Sequence, residues 1–456
     1  MCAQSTHAAD ARAEPPRRPP SPPPFHKFRR FVAQPHLVVH EMLAEYGDFV
    51  RWRGLYDIYV VNHPDFIRPV LSRSHEHFSK RIIDYRVMSG VMGNGLVTSD
   101  GPLWARQRKL MQPVFSHRNV AGFDATINAL TSSLMSRWDA VPDGEVVWVD
   151  REMAALTFRI AGSTLFGADI DRHAGEVAEI LEIINLRPQE LRGLMTLASW
   201  IPTPHNLKWR RALKRLDHIV HDVIAARRRA DPGDDDILGR LLQAHDEETG
   251  EGLDQMQIRD EVVTLLLAGH DTSAHALAWT LYLLATHPEV ESRLAEHLAA
   301  HLDGAPATAA DLARLPYLKR VVQESMRLYP PVWAVARRAE REMIFGEHVL
   351  PANSYVAVVA WALHRHPEFW PDPDRFEPDR FEPDRAGARH SYCYLPFGAG
   401  PRTCIGAGMA MLEIQLVLAQ IVQRFKVRVV PGHPIETLAK VTLKPRYGMP
   451  VTLSRR

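Results

Sequence analysis

The ten residues Phe397–Gly406, FGAGPRTCIG, constrain this chain more than any other stretch, because they set one cysteine, Cys404, in a frame of glycines with a single arginine. At average residue usage, the combination of Phe397, Gly400, Arg402, Cys404 and Gly406 at these spacings arises by chance on the order of once in ten thousand chains. Gly398, Gly400 and Gly406 admit positive φ angles and close backbone approaches, so the loop can turn N–H groups onto one sulfur and hold it as the thiolate. A cysteine that merely fills a core needs none of this. Zinc requires about four ligands, usually with close Cys or His pairs, and Cys393 stands eleven positions away with no paired spacing.

Ahead of a zinc ligand or a buried structural cysteine, the frame fits a single thiolate on haem iron. Such a ligand pushes electron density onto the metal and favours O–O cleavage, and the amides around the sulfur tune the iron's potential. Arg402 is placed to meet a haem propionate through charge-assisted hydrogen bonds, while Phe397 packs against the loop. The apolar segment from about Ile258 to Ala285 has the period of a long helix, with Val262, Leu265, Leu266, Gly269, Ser273 and Ala276 on one face. A glycine in mid-helix costs roughly 1 kcal/mol relative to alanine. In AGHDTS, Ala268–Ser273, that glycine precedes Asp271 and Thr272, opening room for a ligand, and the Thr272 hydroxyl can bond the Ala268 carbonyl four residues back. A polar patch at a helix contact would use the same residues, since buried polar groups ordinarily just satisfy hydrogen bonds.

FGAGPRTCIG resembles the haem-ligand signature of the cytochrome P-450 family of haem-thiolate monooxygenases, and four further motifs in order extend the resemblance from about Phe31 to Val451. It implies haem b (iron protoporphyrin IX) with Cys404 as the metal ligand, and Phe397, Arg402, Gly406 and Ala268 around the cofactor. It makes Asp271 and Thr272 the acid and alcohol of a proton relay to bound O2. Glu324 and Arg327 in VVQESMRLYPP, an i,i+3 pair worth little if exposed, become a structural network completed by Arg380 of the run PDPDRFEPDRFEPDR, with Arg375 as the alternative. Trp104 and Arg108 of WARQR, on one face of a predicted helix, are implied propionate partners, as is Arg337, with Arg338 its competitor. The implied substrate pocket takes Met88, Val91 and Met92, Leu265 and Ala268, Trp333, Ala334 and Val335, and Val441 and Thr442. These are mostly apolar, and methionines suit an irregular hydrocarbon shape.

The expected fold is mainly α with small β-sheets, a cytochrome P-450 fold, in one haem domain over residues 31–456. Predicted helices cover 119–138, 151–166, 171–189, 208–229, 258–285, 289–303, 311–329 and 406–424, and WRGLYDIYVVN and SYVAVVAWA are the β-rich runs. The proline- and arginine-rich residues 1–30 read as a disordered lead-in. No apolar stretch approaches the roughly 20 residues of a membrane span, and the start lacks the apolar core of a signal peptide. A cytoplasmic location follows, consistent with only three cysteines. The formal net charge of +1 gives no sign of nucleic-acid binding.

No flavin, nicotinamide or iron–sulfur motif is present, so electrons are expected from a ferredoxin or flavodoxin type donor with its reductase. Arg106, Lys109, Arg118 and Arg389 are the candidate basic patch for its docking. The expected activity is insertion of one oxygen atom of O2 into an apolar terpenoid, steroid-like or fatty-acyl compound. A peroxide-driven or isomerase-type haem-thiolate enzyme is the alternative, against which Asp271 and Thr272 argue. A non-catalytic haem or gas sensor would need an output domain.

Overall fold

The apolar period around AGHDTS is one helix, Gln255–Thr286, opened by a capping box in which Asp254 and Gln257 satisfy each other's backbone N–H groups. The computed structural model describes residues 17–72, 76–167, 203–229, 236–246 and 248–456, together with 176, 177, 179, 180 and 183. The long helix is buried on nearly all sides because helices Val149–Phe166, Pro316–Leu328 and Ala407–Arg424 pack around it, sharing one large apolar core. Trp279 anchors its C-terminal half, stacked on Tyr329 at 4.1 Å with its indole N–H donating to the Leu443 carbonyl. Each helix therefore supplies a wall, and the long helix runs through the middle.

The other predicted helices fall at Asp124–Asp139, Pro204–Arg229, Pro288–Leu302 and Pro316–Leu328, the last preceded by the separate 3-10 turn Asp311–Arg314. Proline at position 316 starts that helix afresh, since its ring suits a first turn and no interior one. The predicted segment 171–189 lies outside the described residues apart from 176, 177, 179, 180 and 183. Short helices Pro35–Tyr46, Pro64–Ser72 and Ile83–Met92 were not read from the sequence. No helix among the described residues is long and apolar enough to cross a membrane.

WRGLYDIYVVN overlaps a hairpin, Phe49–Arg53 against Asp57–Val61, at the edge of a five-stranded sheet. Tyr355–Val358 joins it in parallel register, Ile58 opposite Tyr355, and pairs on its other side with Val335–Ala339. The end of the second β-rich run, AWA, turns instead into the short helix Ala360–Leu363. Within residues 17–30, expected as part of a disordered lead-in, Arg17 bridges to His348, residues 20–25 run beside the sheet's first strand and Phe28 begins a short helix. Proline lacks an N–H but keeps its carbonyl, and Pro20 accepts from the Arg51 N–H and Pro22 from the Arg53 guanidinium, while the Phe25 N–H donates to the Arg53 carbonyl.

Candidate active site

The cysteine loop is built as a tight turn closed by its own backbone. The Cys404 N–H donates to the Phe397 carbonyl at 2.9 Å, and Gly398 and Gly400 have φ of 71° and 72°. Gly400 has no room for a side chain, since a Cβ there would lie 2.4 Å from the Leu71 carbonyl oxygen. Gly406 does not share the positive φ expected of it: with φ −88° it caps the helix Ala407–Arg424. Its N–H faces the Cys404 sulfur instead. Burial pushes the Cys404 thiol up, opposed by that N–H and by the Arg108 guanidinium, the two groups that would stabilise the ionised sulfur. Phe397 packs on the main core.

Two observations show that the surroundings fit a haem. Cys404 is exposed, yet burial dominates its environment, as for a side chain opening on a hollow inside the protein. The stretch Leu267–Thr272 is likewise partly open although the helix is buried on either side of it, and Gly269 has open space where a Cβ would be. The second observation is a cluster of cations with unmet hydrogen-bonding capacity. Arg402 and Arg337 each keep a buried Nε without an acceptor. Arg402 is pulled down to about 10 by burial, with Arg337 adding to the effect and Asp100 and Tyr85 opposing it. Lys80, buried, is lowered well below the ordinary lysine range by burial, Arg402 and Arg337. Crowded cations in a dry site call for anions, and two propionates supply that charge.

Lys80 was invisible in the sequence. Its Nζ donates to the Val97 carbonyl at 2.6 Å, and its N–H to Asp100, which also pairs with Arg402. Trp104 is buried under Arg402, whose guanidinium lies 4.1 Å from the ring centre, and Arg108 donates to the Thr403 carbonyl at 2.9 Å. Arg337 is buried with Nη1 donating to the Tyr85 hydroxyl at 2.9 Å, whereas Arg338 turns to Asn353. Arg337 therefore belongs to the cluster and Arg338 does not.

On the long helix the Thr272 hydroxyl donates to the Ala268 carbonyl at 2.7 Å, and the Thr157 hydroxyl of the neighbouring helix donates to the His270 carbonyl at 3.0 Å. Side-chain donors thus serve helix carbonyls beside the glycine. Asp271 turns elsewhere, its Oδ2 accepting from the Thr442 hydroxyl at 2.6 Å. Burial alone would raise Asp271, but His275, the Thr442 hydroxyl, His270 and Lys444 outweigh it and hold the carboxyl below its usual range.

Glu324 and Arg327 are fully buried and joined by two bonds, at 2.7 and 2.9 Å. Arg380 brings its Nε to 3.3 Å from Glu324, while Arg375 contributes only its carbonyl, to Arg327. The network reaches the cysteine loop through His364, another residue the sequence reading missed. Its Nδ1 lies 3.2 Å from the Arg327 carbonyl and its Nε2 accepts from the Leu395 N–H at 2.8 Å. Burial drives His364 down to about 3, so the ring is neutral and can accept.

The pocket candidates divide. Met88, Val91, Ala268, Ala334 and Val335 are partly open, and the charges Arg81, Asp84 and Arg86 lie outward. Leu265 and Trp333 are core residues; the Trp333 indole N–H is spent on the Lys440 carbonyl. Met92 is also buried, Val441 is half exposed in a hairpin turn, and Thr442 serves Asp271. The basic patch is mostly committed: Arg106 pairs with Glu251, Lys109 with Asp246, and Arg389 reaches the Arg380 carbonyl and lies over Trp370. Arg118 is exposed.

The sequence model of the Cytochrome P-450 family matches residues 16–450. Cyclooctat-9-en-7-ol 5-monooxygenase of Streptomyces melanosporofaciens is 35% identical over 86% of this chain and 84% of its own length. Pentalenene oxygenase of Streptomyces avermitilis is 33% identical over 88% of this chain and 89% of its own length. The crystal structure of the cytochrome P-450DA haem domain superposes with a TM-score of 0.87 at 27% identity, over 97% of this chain and 98% of that one. With a cysteine loop, a cationic cradle and a long helix partly open at Leu267–Thr272 all inside the matched span, the chain belongs to the cytochrome P-450 family and is a haem-thiolate monooxygenase.

Proposed function

We propose that this monooxygenase inserts one oxygen atom of O2 into a neutral, largely hydrocarbon substrate of the terpenoid kind, using haem b and electrons from a separate iron–sulfur or flavin protein. The observation that carries the reading is the partly open stretch Leu267–Thr272 on a buried helix, apolar at Leu267 and Ala268 and polar at Asp271 and Thr272. A hydrocarbon gains about 25 cal/mol per Å² of apolar surface buried against such a wall. The relatives named for oxygenating cyclooctat-9-en-7-ol and pentalenene support the substrate class. The sequence has no Cys-x-x-Cys-His motif for covalent haem attachment, which favours haem b. The free thiols Cys393 and Cys404 fit a reducing, cytoplasmic setting.

The haem, when bound, supplies the O2 chemistry. The chain's part is to hold Cys404 under the Gly406 N–H, to neutralise the propionates with Lys80, Arg337 and Arg402, and to keep Thr272 and Asp271 where protons are needed. Thr272→Ala is expected to retain haem but lose roughly tenfold or more in product per electron, with peroxide accumulating, because a positioned proton donor contributes roughly 10²- to 10⁴-fold to its step. Unchanged yield would remove Thr272 from proton delivery. Ala268→Phe tests the wall: titration of wild type with neutral terpenoids should shift the haem absorption spectrum, and the added ring should abolish the shift. Persisting shifts, or shifts only with charged compounds, would reject this pocket.

A further inference from the structure

Asp271 has a neighbour that no motif announces. One helical turn onward, His275 is 8% exposed, and its Nδ1 lies 3.8 Å from Asp271 Oδ2 with the Asp271 backbone also beside the ring. The same carboxylate oxygen accepts the Thr442 hydroxyl from the C-terminal segment. Thr272 meanwhile turns back to Ala268, so the acid and the alcohol next to each other in sequence are bonded to different partners. Around the imidazole stand His270 on the same helix, Lys444 of the strand Leu443–Pro445, and Asp150 of the helix Val149–Phe166. At 3.8 Å the ring and the carboxylate are just beyond direct bonding, a gap closed by a small rotation or one water.

We propose that His275 is a positioning residue for Asp271, orienting its carboxylate and returning the proton that Asp271 gives up during oxygen activation, with Thr442 fixing the oxygen that receives it. The proposal rests on the oxygenase reading above. In the return step the Nδ1–H bond of the His275 imidazolium breaks and an O–H bond forms at Asp271 Oδ2. The ring becomes neutral, as does the acid, and no electrons move. A proton from bulk solvent, with its counter-charge left in solution, then restores the imidazolium. Burial lowers His275, Lys444 adds to this, and Asp271 and Asp150 oppose it. The imidazolium is present below its folded-state pKa and lost above it, so proton return weakens as pH rises.

The test uses the holoenzyme labelled with ¹³C-histidine, in the diamagnetic ferrous carbon monoxide form, where the resonance missing from His275→Gln identifies the ring. In Asp271→Asn its titration midpoint should move to lower pH, because the carboxylate that favours the imidazolium is gone. Product per electron in wild type should fall as pH rises, whereas in His275→Gln it should be several-fold lower and flat with pH. An unmoved midpoint, or a pH dependence that survives in His275→Gln, overturns the proposal. Thr442→Val, which spares the ring, should lower product per electron at least twofold; an unchanged yield also counts against it. If no apolar compound elicits turnover in wild type, the oxygenase reading fails, while the ring titration still decides the pairing.

Discussion

Serine in place of Cys404 is expected to abolish the strongly red-shifted carbon monoxide complex entirely, while Cys393→Ser leaves it intact. The two thiols differ in what surrounds them. Cys393 is buried with Trp370 and Phe381, and burial pushes it up to about 11, outweighing Arg389 and a backbone hydrogen bond, so it is a packed, unreactive thiol. Cys404 opens on the hollow, with the Gly406 N–H and Arg108 at hand to support a negative sulfur. The absorption spectrum of the reduced protein under carbon monoxide checks both variants in one experiment. Loss of the band in Cys393→Ser and its survival in Cys404→Ser would reverse the assignment.

Glu324→Ala should yield little soluble protein and no haem-loaded protein. Removing one member of a buried ion pair costs about 3 to 5 kcal/mol, out of the 5 to 15 kcal/mol that holds a typical domain together. Here the loss spreads further than the pair. Glu324 also faces Arg380 and accepts the Glu377 N–H, and Arg327 ties down the carbonyls of His364, Pro373 and Arg375. His364 passes that order to the Leu395 N–H, two residues before the cysteine loop begins. Haem content per mole of purified protein measures the effect. A soluble, fully loaded Glu324→Ala would refute the coupling between network and loop.

The sequence disclosed what is local and periodic. FGAGPRTCIG carries its ligand, turn glycines and arginine within ten residues, and the Thr272-to-Ala268 bond follows from helix spacing alone. Glu324 and Arg327 sit three apart on a helix, so their bond was legible, whereas the choice of Arg380 over Arg375 depends on how a proline-rich run folds back. Lys80 and His364 carried no signal because each is a single residue, far in sequence from the groups it serves. His275 was hidden differently, on the right helix and one turn past the motif. Trp333 and Leu265 show a limit of chemistry: a core and a hydrocarbon pocket ask for the same apolar side chains, so only packing separates them. Gly406 shows the same for backbone, where a glycine expected for its φ serves by leaving its N–H open to the sulfur.

The segment before the Trp104 helix is fastened at both feet. At its start, Lys80 holds the carbonyls of Leu96 and Val97 and its N–H binds Asp100. At its end, Gly93 and Gly95 lie so flat on the long helix that a Cβ would sit 2.1 Å from Asp260 or Thr264, and the Asn94 and Leu96 N–H groups donate to Asp260 and Glu261. Residues 81–92 lie between these feet, and within them Tyr85 holds Arg337 and Asp84 accepts from the Tyr355 hydroxyl. With Tyr85 kept for Arg337, exchange of residues 86–92 is expected to redraw the proposed pocket wall while both feet stay tied, a route to new substrates that spares the cationic cradle.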